Sequence, residues 1–177
     1  MTTNKYLLKA LDAYPYNLEE AVESLDYALS YNREDTSALS LMGRLHAEIF
    51  KDYETAKVYF LEALAIDVQA KNIYPYYINT LINNADYDVA EKFINFALQQ
   101  KGSEKGTLLL NKALMYECQM KFKKALKQLK EAKLQSYNQD FLNTIKTYEE
   151  RILQKININK EKKDKKNKSD KNGKKAA

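Results

Sequence analysis

Small apolar residues recur along this chain in pairs seven positions apart: Ala21 and Ala28, Ala56 and Ala63, Ala90 and Ala97, Ala125 and Ala132. Successive pairs are offset by 35, 34 and 35 residues. Four residues after each first alanine stands a bulky apolar side chain, Leu25, Phe60, Ile94 or Leu129. Spacings of four and seven place all three positions on one helical face. A small–large–small face lets a second helix approach closely while one large side chain fills the gap. An earlier stripe repeats in step with it. Leu7, Leu8 and Leu11 are followed by Met42, Gly43 and His46, then Tyr77, Ile78 and Leu81, then Lys112, Ala113 and Tyr116. The unit is therefore a pair of amphipathic helices joined by a short turn, and the turn is one residue longer in the first two units than in the last two.

This parse gives units over 2–33, 36–68, 71–101 and 104–134. Asn17, with Glu20 three residues on, reads as an N-cap with its capping-box partner. Asp52, Asp86, Ser103 and Asn138 are expected to cap other helices. Pro15 falls in a turn and Pro75 in the first turn of a helix, where a missing N–H costs little. After the fourth unit Phe141, Ile145, Tyr148, Ile152 and Ile156 keep a spacing of three or four, which predicts a capping helix over 138–156. A stacked array needs such a cap over the exposed face of its last pair.

The repeat resembles the tetratricopeptide repeat over about residues 2–156. The motif's large residue, Leu, small residue and Tyr, followed by Ala, a bulky residue and Ala, fall in the second unit on Leu39, Met42, Gly43, His46, Ala56, Phe60 and Ala63. In the third they fall on Tyr74, Tyr77, Ile78, Leu81, Ala90, Ile94 and Ala97, and in the fourth on Leu109, Lys112, Ala113, Tyr116, Ala125, Leu129 and Ala132. The first unit departs from the motif in its first helix. The motif's closing Pro is replaced throughout, by Arg33, Val68, Gly102 and Tyr137. The resemblance implies an all-α, right-handed α-solenoid of about four helical hairpins plus the C-terminal capping helix.

Charge changes the picture at one end. The chain has 29 Lys and Arg against 24 Asp and Glu, for a net of +5, but 160–177 alone holds nine Lys and three acids. The remainder is close to neutral. A segment this polar buries too little apolar surface to offset its ordering entropy, so 157–177 is expected to be a disordered Lys-rich tail. Such a tail suits weak, salt-dependent contact with nucleic acid, ribosomes or acidic lipid.

Candidate chemistry is sparse. One Cys excludes a disulfide framework and suits a cytoplasmic chain, and no transmembrane run or signal-peptide core is expected. Cys118 reads as a free, inert thiol and His46 as a packed core residue, since it stands where the motif has a buried aromatic. There is no second Cys or His to complete a nucleophile–base pair with either, and the four isolated glycines build no phosphate loop. No enzyme activity, cofactor or metal is expected. Most of the 14 Tyr and six Phe fall on or beside packing positions; the Tyr14-Pro15-Tyr16 and Tyr74-Pro75-Tyr76 segments do not follow the pattern.

A binding face does follow from the resemblance, which places the first helix of each unit on the concave side. Its inner positions fall on Lys5 and Lys9, then Ser40, Arg44 and Glu48, then Asn72, Asn79, Ile82 and Asn83, then Leu110, Leu114 and Glu117. The asparagines suit hydrogen bonds to an extended backbone, and Ile82, Leu110 and Leu114 suit an apolar anchor. The expected role is a non-enzymatic scaffold that holds a peptide or helix of a protein partner in this groove. The chaperone-tail mode of the family is not expected, because its Lys, Asn and Arg positions carry Lys9, Leu41, Asn72 and Tyr76 beside Lys5. The competing expectation is a nucleic-acid- or ribosome-associated protein whose tail binds while the repeats form a homodimer or dock.

Overall fold

The twelve positions of the small–large–small pattern are all fully buried. All eight alanines, and Leu25, Phe60, Ile94 and Leu129 between them, are 0% exposed. The computed structural model describes the backbone of residues 4–173 and the side chains of residues 4–160. Its helices are α1 (Lys5–Ala13), α2 (Leu18–Tyr31), α3 (Thr36–Leu45), α4 (Tyr53–Ile66), α5 (Tyr74–Asn83), α6 (Tyr87–Gln99), α7 (Lys105–Cys118), α8 (Phe122–Lys133) and α9 (Gln139–Gly173). No strand occurs among the described residues. α1–α2, α3–α4, α5–α6 and α7–α8 pair as the four hairpins, and each second helix carries its two alanines at fully buried positions.

Two compact units divide the chain, Met1–Ser103 with three hairpins and Glu104–Ala177 with the fourth hairpin and α9. The sequence pattern places all four hairpins in one repeat domain over 1–156. The division falls at the Gln100–Ser103 turn, where Gly102 takes φ +80.

The turns explain the extra residue of the first two units. Ala85 and Met120 lie in the left-handed region, each five residues before its alanine. They close α5 and α7 with the bonds Asp86 N–H to Leu81 O at 2.9 Å and Lys121 N–H to Tyr116 O at 2.8 Å. This is a helix end in which a left-handed residue lets the next amide reach back five positions. Lys51 takes the same place in the second hairpin, but His46–Phe50 forms a π turn, and the Asp52 amide reaches back six positions to His46 O at 3.0 Å. The wider turn takes up the surplus residue. In the first hairpin the surplus lies in the Tyr14–Asn17 turn, whose Tyr14–Pro15 bond is cis.

Several expected caps form. Asn17 accepts from the Glu20 amide and Asp52 from the Thr55 amide, and Asn138 accepts from the Phe141 amide. Two do not. The Asp86 carboxylate is held by Lys57 at 2.7 Å and by Asn84 at 2.8 Å, so it ties α4 to the next hairpin's turn and caps nothing. Glu104, one residue beyond Ser103, is the N-cap residue of α7.

Aromatic residues fill the space between the second and third hairpins. The Phe60 ring lies 6.1 Å from that of Tyr77, which meets Phe93 edge-on at 4.9 Å, and Tyr74 meets Phe93 edge-on at 5.3 Å. Gly43 is small for a local reason: a Cβ there would stand 2.9 Å from the Phe60 ring, which is fully buried and has no room to retreat. Glycine to alanine inside a helix ordinarily stabilises by about 1 kcal/mol. Here the sign reverses, and Gly43→Ala is expected to cost about 1–3 kcal/mol. Urea denaturation checks it, and a variant as stable as the parent would show that Phe60 is free to shift.

α9 begins as the expected capping helix. Ile145 and Ile152 are fully buried, and Phe141 lies so close to Gly106 of α7 that an added Cβ would stand 3.2 Å from its ring. Its end differs from expectation. The helical backbone runs past 156 to Gly173, through residues assigned from the sequence to a disordered tail. Neither Pro nor Gly interrupts 157–172, and Lys and Glu are good helix formers, so a helix anchored by its buried first half can propagate. Residues 174–177 of that tail lie outside the described residues.

Candidate partner-binding groove

Within the first unit, α3 and its π turn face α5 across a hollow of about 240 Å3. Arg44, Ala47, Glu48 and Lys51 line one wall, at the three- and four-residue spacing of one helical stripe. Tyr76, Asn79, Thr80 and Asn83 line the other at the same spacing, and Phe60 of α4 contributes to the floor. Four residues chosen from the sequence, Arg44, Glu48, Asn79 and Asn83, are thus brought together.

Arg44 is the fixed centre of this face. Its guanidinium lies 4.4 Å from the Tyr76 ring centroid and 5.0 Å from that of Tyr14. Its Nε donates to Glu48 Oε1 at 3.3 Å, and the Tyr14 hydroxyl donates to the other oxygen of the same carboxylate. Two aromatic faces and one carboxylate hold the guanidinium in place. Burial, reinforced by the Glu48 carboxylate, pushes the Tyr14 hydroxyl up to about 12, against an opposing effect of Arg44. Tyr14 therefore remains a donor at neutral pH. Lys51 Nζ donates to the Glu48 backbone oxygen at 2.7 Å. Asn79 and Asn83 are exposed and make no side-chain hydrogen bond among the described residues, so their amides offer donors and acceptors to a ligand.

The remaining sequence-chosen positions divide. Lys5, Lys9 and Asn72 are exposed; Lys5 lies over the Tyr6 ring at 4.9 Å and Lys9 pairs with Glu20 at 3.1 Å. Ser40 and Ile82 are buried and present nothing to the surface of the groove. Tyr14, Lys51 and Thr80 were not among the positions chosen from the sequence. The irregular Tyr-Pro-Tyr segments were the available signal, since each supplies one of the rings that flank Arg44.

In the second unit Leu110 is buried and Leu114 half-buried. Glu117, expected to face a partner, is instead consumed by the fold. Its side chain is 4% exposed, and its carboxylate accepts from Arg151 at 2.9 and 2.5 Å and from Lys155 at 2.7 Å, both on α9. Burial would raise this carboxyl; the bonds from Arg151 and Lys155 outweigh it and hold the group below the ordinary carboxylate range. His46 is half-buried at the margin of the core, stacked on Tyr59 at 5.5 Å and edge-on to Phe50 at 5.4 Å. Cys118 is a free, exposed thiol.

Helical hairpins in register, joined through alanine faces, define the tetratricopeptide-type solenoid fold. Solved structures of that class share it. PilF of Pseudomonas aeruginosa superimposes with a TM-score of 0.72 at 19% identity, over 86% of this chain and 68% of that one. The MamA RS-1 ArsTM double mutant superimposes with a TM-score of 0.63 at 16% identity, over 86% of this chain and 89% of that one. No family model and no curated protein matches the chain. Among the described residues no helix is long and apolar enough to cross a membrane.

Proposed function

We propose that the protein is a non-enzymatic interaction scaffold of the cytoplasm, and that the face between α3 and α5 holds an extended segment or helix of a protein partner. The observation that carries this reading is the row of exposed Asn79 and Asn83 amides opposite the immobilised Arg44–Glu48 pair. Arg44 and Glu48 meet a ligand already ordered, so little side-chain entropy is lost on binding. Asn72 extends the row along the chain, and Lys5 and Lys9 add charge at the N-terminal end of the same unit. Leu114 is the one apolar position chosen from the sequence in the second unit that stays partly accessible.

Asn79→Ala with Asn83→Ala removes two surface amides and no core contact, so the melting temperature should move little. Affinity for a partner captured by the parent protein should fall about tenfold, the loss of one or two hydrogen bonds in a desolvated site. Titration of the purified partner against both proteins measures it. Unchanged affinity places the contact elsewhere. The competing role for the Lys-rich segment falls largely on 161–177, whose side chains lie outside the described residues. Retention by a chain ending at 159, unaffected by nuclease, separates groove binding from it.

A further inference from the structure

The α7–α8 turn presents a second surface, in the unit that begins at Glu104. Met120 holds the left-handed position of this turn at φ 58 and is 64% exposed. Glycine fills such a position without steric cost, and Ala85 and Lys51 fill the matching places in other hairpins. A large apolar side chain there is strained, faces water and adds nothing to the core. Beside it Phe122 of α8 and Ile156 of α9, both half-buried, line an open trough of about 830 Å3. Lys121, Lys123, Lys124, Asn159 and Lys160 complete its lining. Among the described residues, the side chains of Lys121, Lys123 and Lys160 form no ion pair. Glu117, on the adjoining turn of α7, is already neutralised by Arg151 and Lys155. The sequence past Lys160 adds eight Lys and three acids.

We propose that this trough docks an acidic amphipathic helix of a protein partner. The partner's apolar stripe lies on Met120, Phe122 and Ile156, while its flanking carboxylates meet the lysines. Charge complementarity selects the sign of the ligand, and concavity selects its shape. A helix can lay an apolar stripe along a concave surface and cover half-buried side chains there. A flat anionic bilayer would meet the lysines but leave Phe122 and Ile156 uncovered.

The test uses the full chain and a variant carrying Met120→Asp and Lys123→Glu, two exposed positions; Asp tolerates the left-handed backbone. A melt matching the parent's establishes that the variant folds. The probes are a peptide of about 18 residues, five turns of helix, with Leu on one face and Glu on the other, and its twin with Lys for Glu. Phosphatidylserine vesicles form a third arm. The Glu peptide should bind the parent at least tenfold more tightly than it binds the variant, and at least tenfold more tightly than the Lys twin binds the parent. Its affinity should fall as salt rises. Selection from a displayed random peptide library guards against a poor choice of peptide. Sequences enriched on the parent and lost on the variant should be acidic, with apolar residues at helical spacing. Equal binding of both twins, equal enrichment on parent and variant, or variant-sensitive binding of vesicles without peptide binding overturns the proposal.

Discussion

Ala90→Arg is expected to destabilise the Met1–Ser103 unit severely. Ala90 is 0% exposed on α6, which packs against α5, and it stands where Ala21, Ala56 and Ala125 stand, equally buried, in the other hairpins. A guanidinium there must either bury an unpaired charge or force the helices apart. Overpacking alone costs about 1–3 kcal/mol, and burial of an unpaired charge adds more. A loss of about 4 kcal/mol or more is expected, against a total near 5–15 kcal/mol for a small domain. Lys92→Arg, two residues away on the exposed face of the same helix, should change stability by less than about 0.5 kcal/mol. Circular dichroism in increasing urea measures both. An Ala90→Arg variant with the parent's midpoint would mean that α6 does not pack through its alanines.

The second large effect lies in the other unit. Arg151→Ala with Lys155→Ala leaves the Glu117 carboxylate, 4% exposed, without a cation. Breaking a buried pair by removing one side costs about 3–5 kcal/mol. Arg151 and Lys155 are 45% and 47% exposed, so solvent already screens part of the pair and about 2–3 kcal/mol is the better expectation. The pH dependence fixes the mechanism. In the parent the carboxyl is held below its ordinary value of 4.5, so its contribution is present above that pH and is lost as pH falls through the lower folded value. In the variant, burial without cations favours the protonated acid. The deficit should therefore be largest near pH 7, begin to shrink above pH 4.5 as the variant's acid protonates, and go on shrinking until the parent's carboxyl protonates too. A deficit constant from pH 7 to pH 3 would assign the loss to packing of the long side chains. Adding Glu117→Gln to the variant should restore part of the stability at pH 7, because no charge is then left buried.

These two effects mark what the sequence makes legible and what it does not. The alanine pairs are readable because close helix packing needs a small side chain at a fixed helical spacing. That need leaves a period, and the period carries the hairpins and the motif resemblance that implies the fold class; the start of α9 is read from its own apolar stripe. Glu117 is not readable in this way. It lies at an inner-face position by register, but its partners stand 34 and 38 residues away on α9. Ion pairing across elements has no period, and the α9 stripe registers apolar positions alone. Asp86 misleads for a related reason: a carboxylate at a helix start can cap, but Lys57 from another hairpin competes for it and wins. The surplus turn residue is legible as a count; its conversion into a π turn in one hairpin depends on backbone geometry. At the groove, register predicts Arg44, Glu48, Asn79 and Asn83. It cannot place Tyr14, which reaches Glu48 from a turn 34 residues earlier.

The most direct test of the proposed role is site-specific photo-crosslinking from the full-length protein. A benzophenone side chain is placed at 83, in the α3–α5 face, or at 92, on the exposed face of α6, and irradiated in native lysate with and without nuclease. One dominant protein adduct is expected from position 83, insensitive to nuclease, and none of that species from position 92. An adduct formed from 92 and absent from 83, or equal adducts from both, would contradict the proposed role.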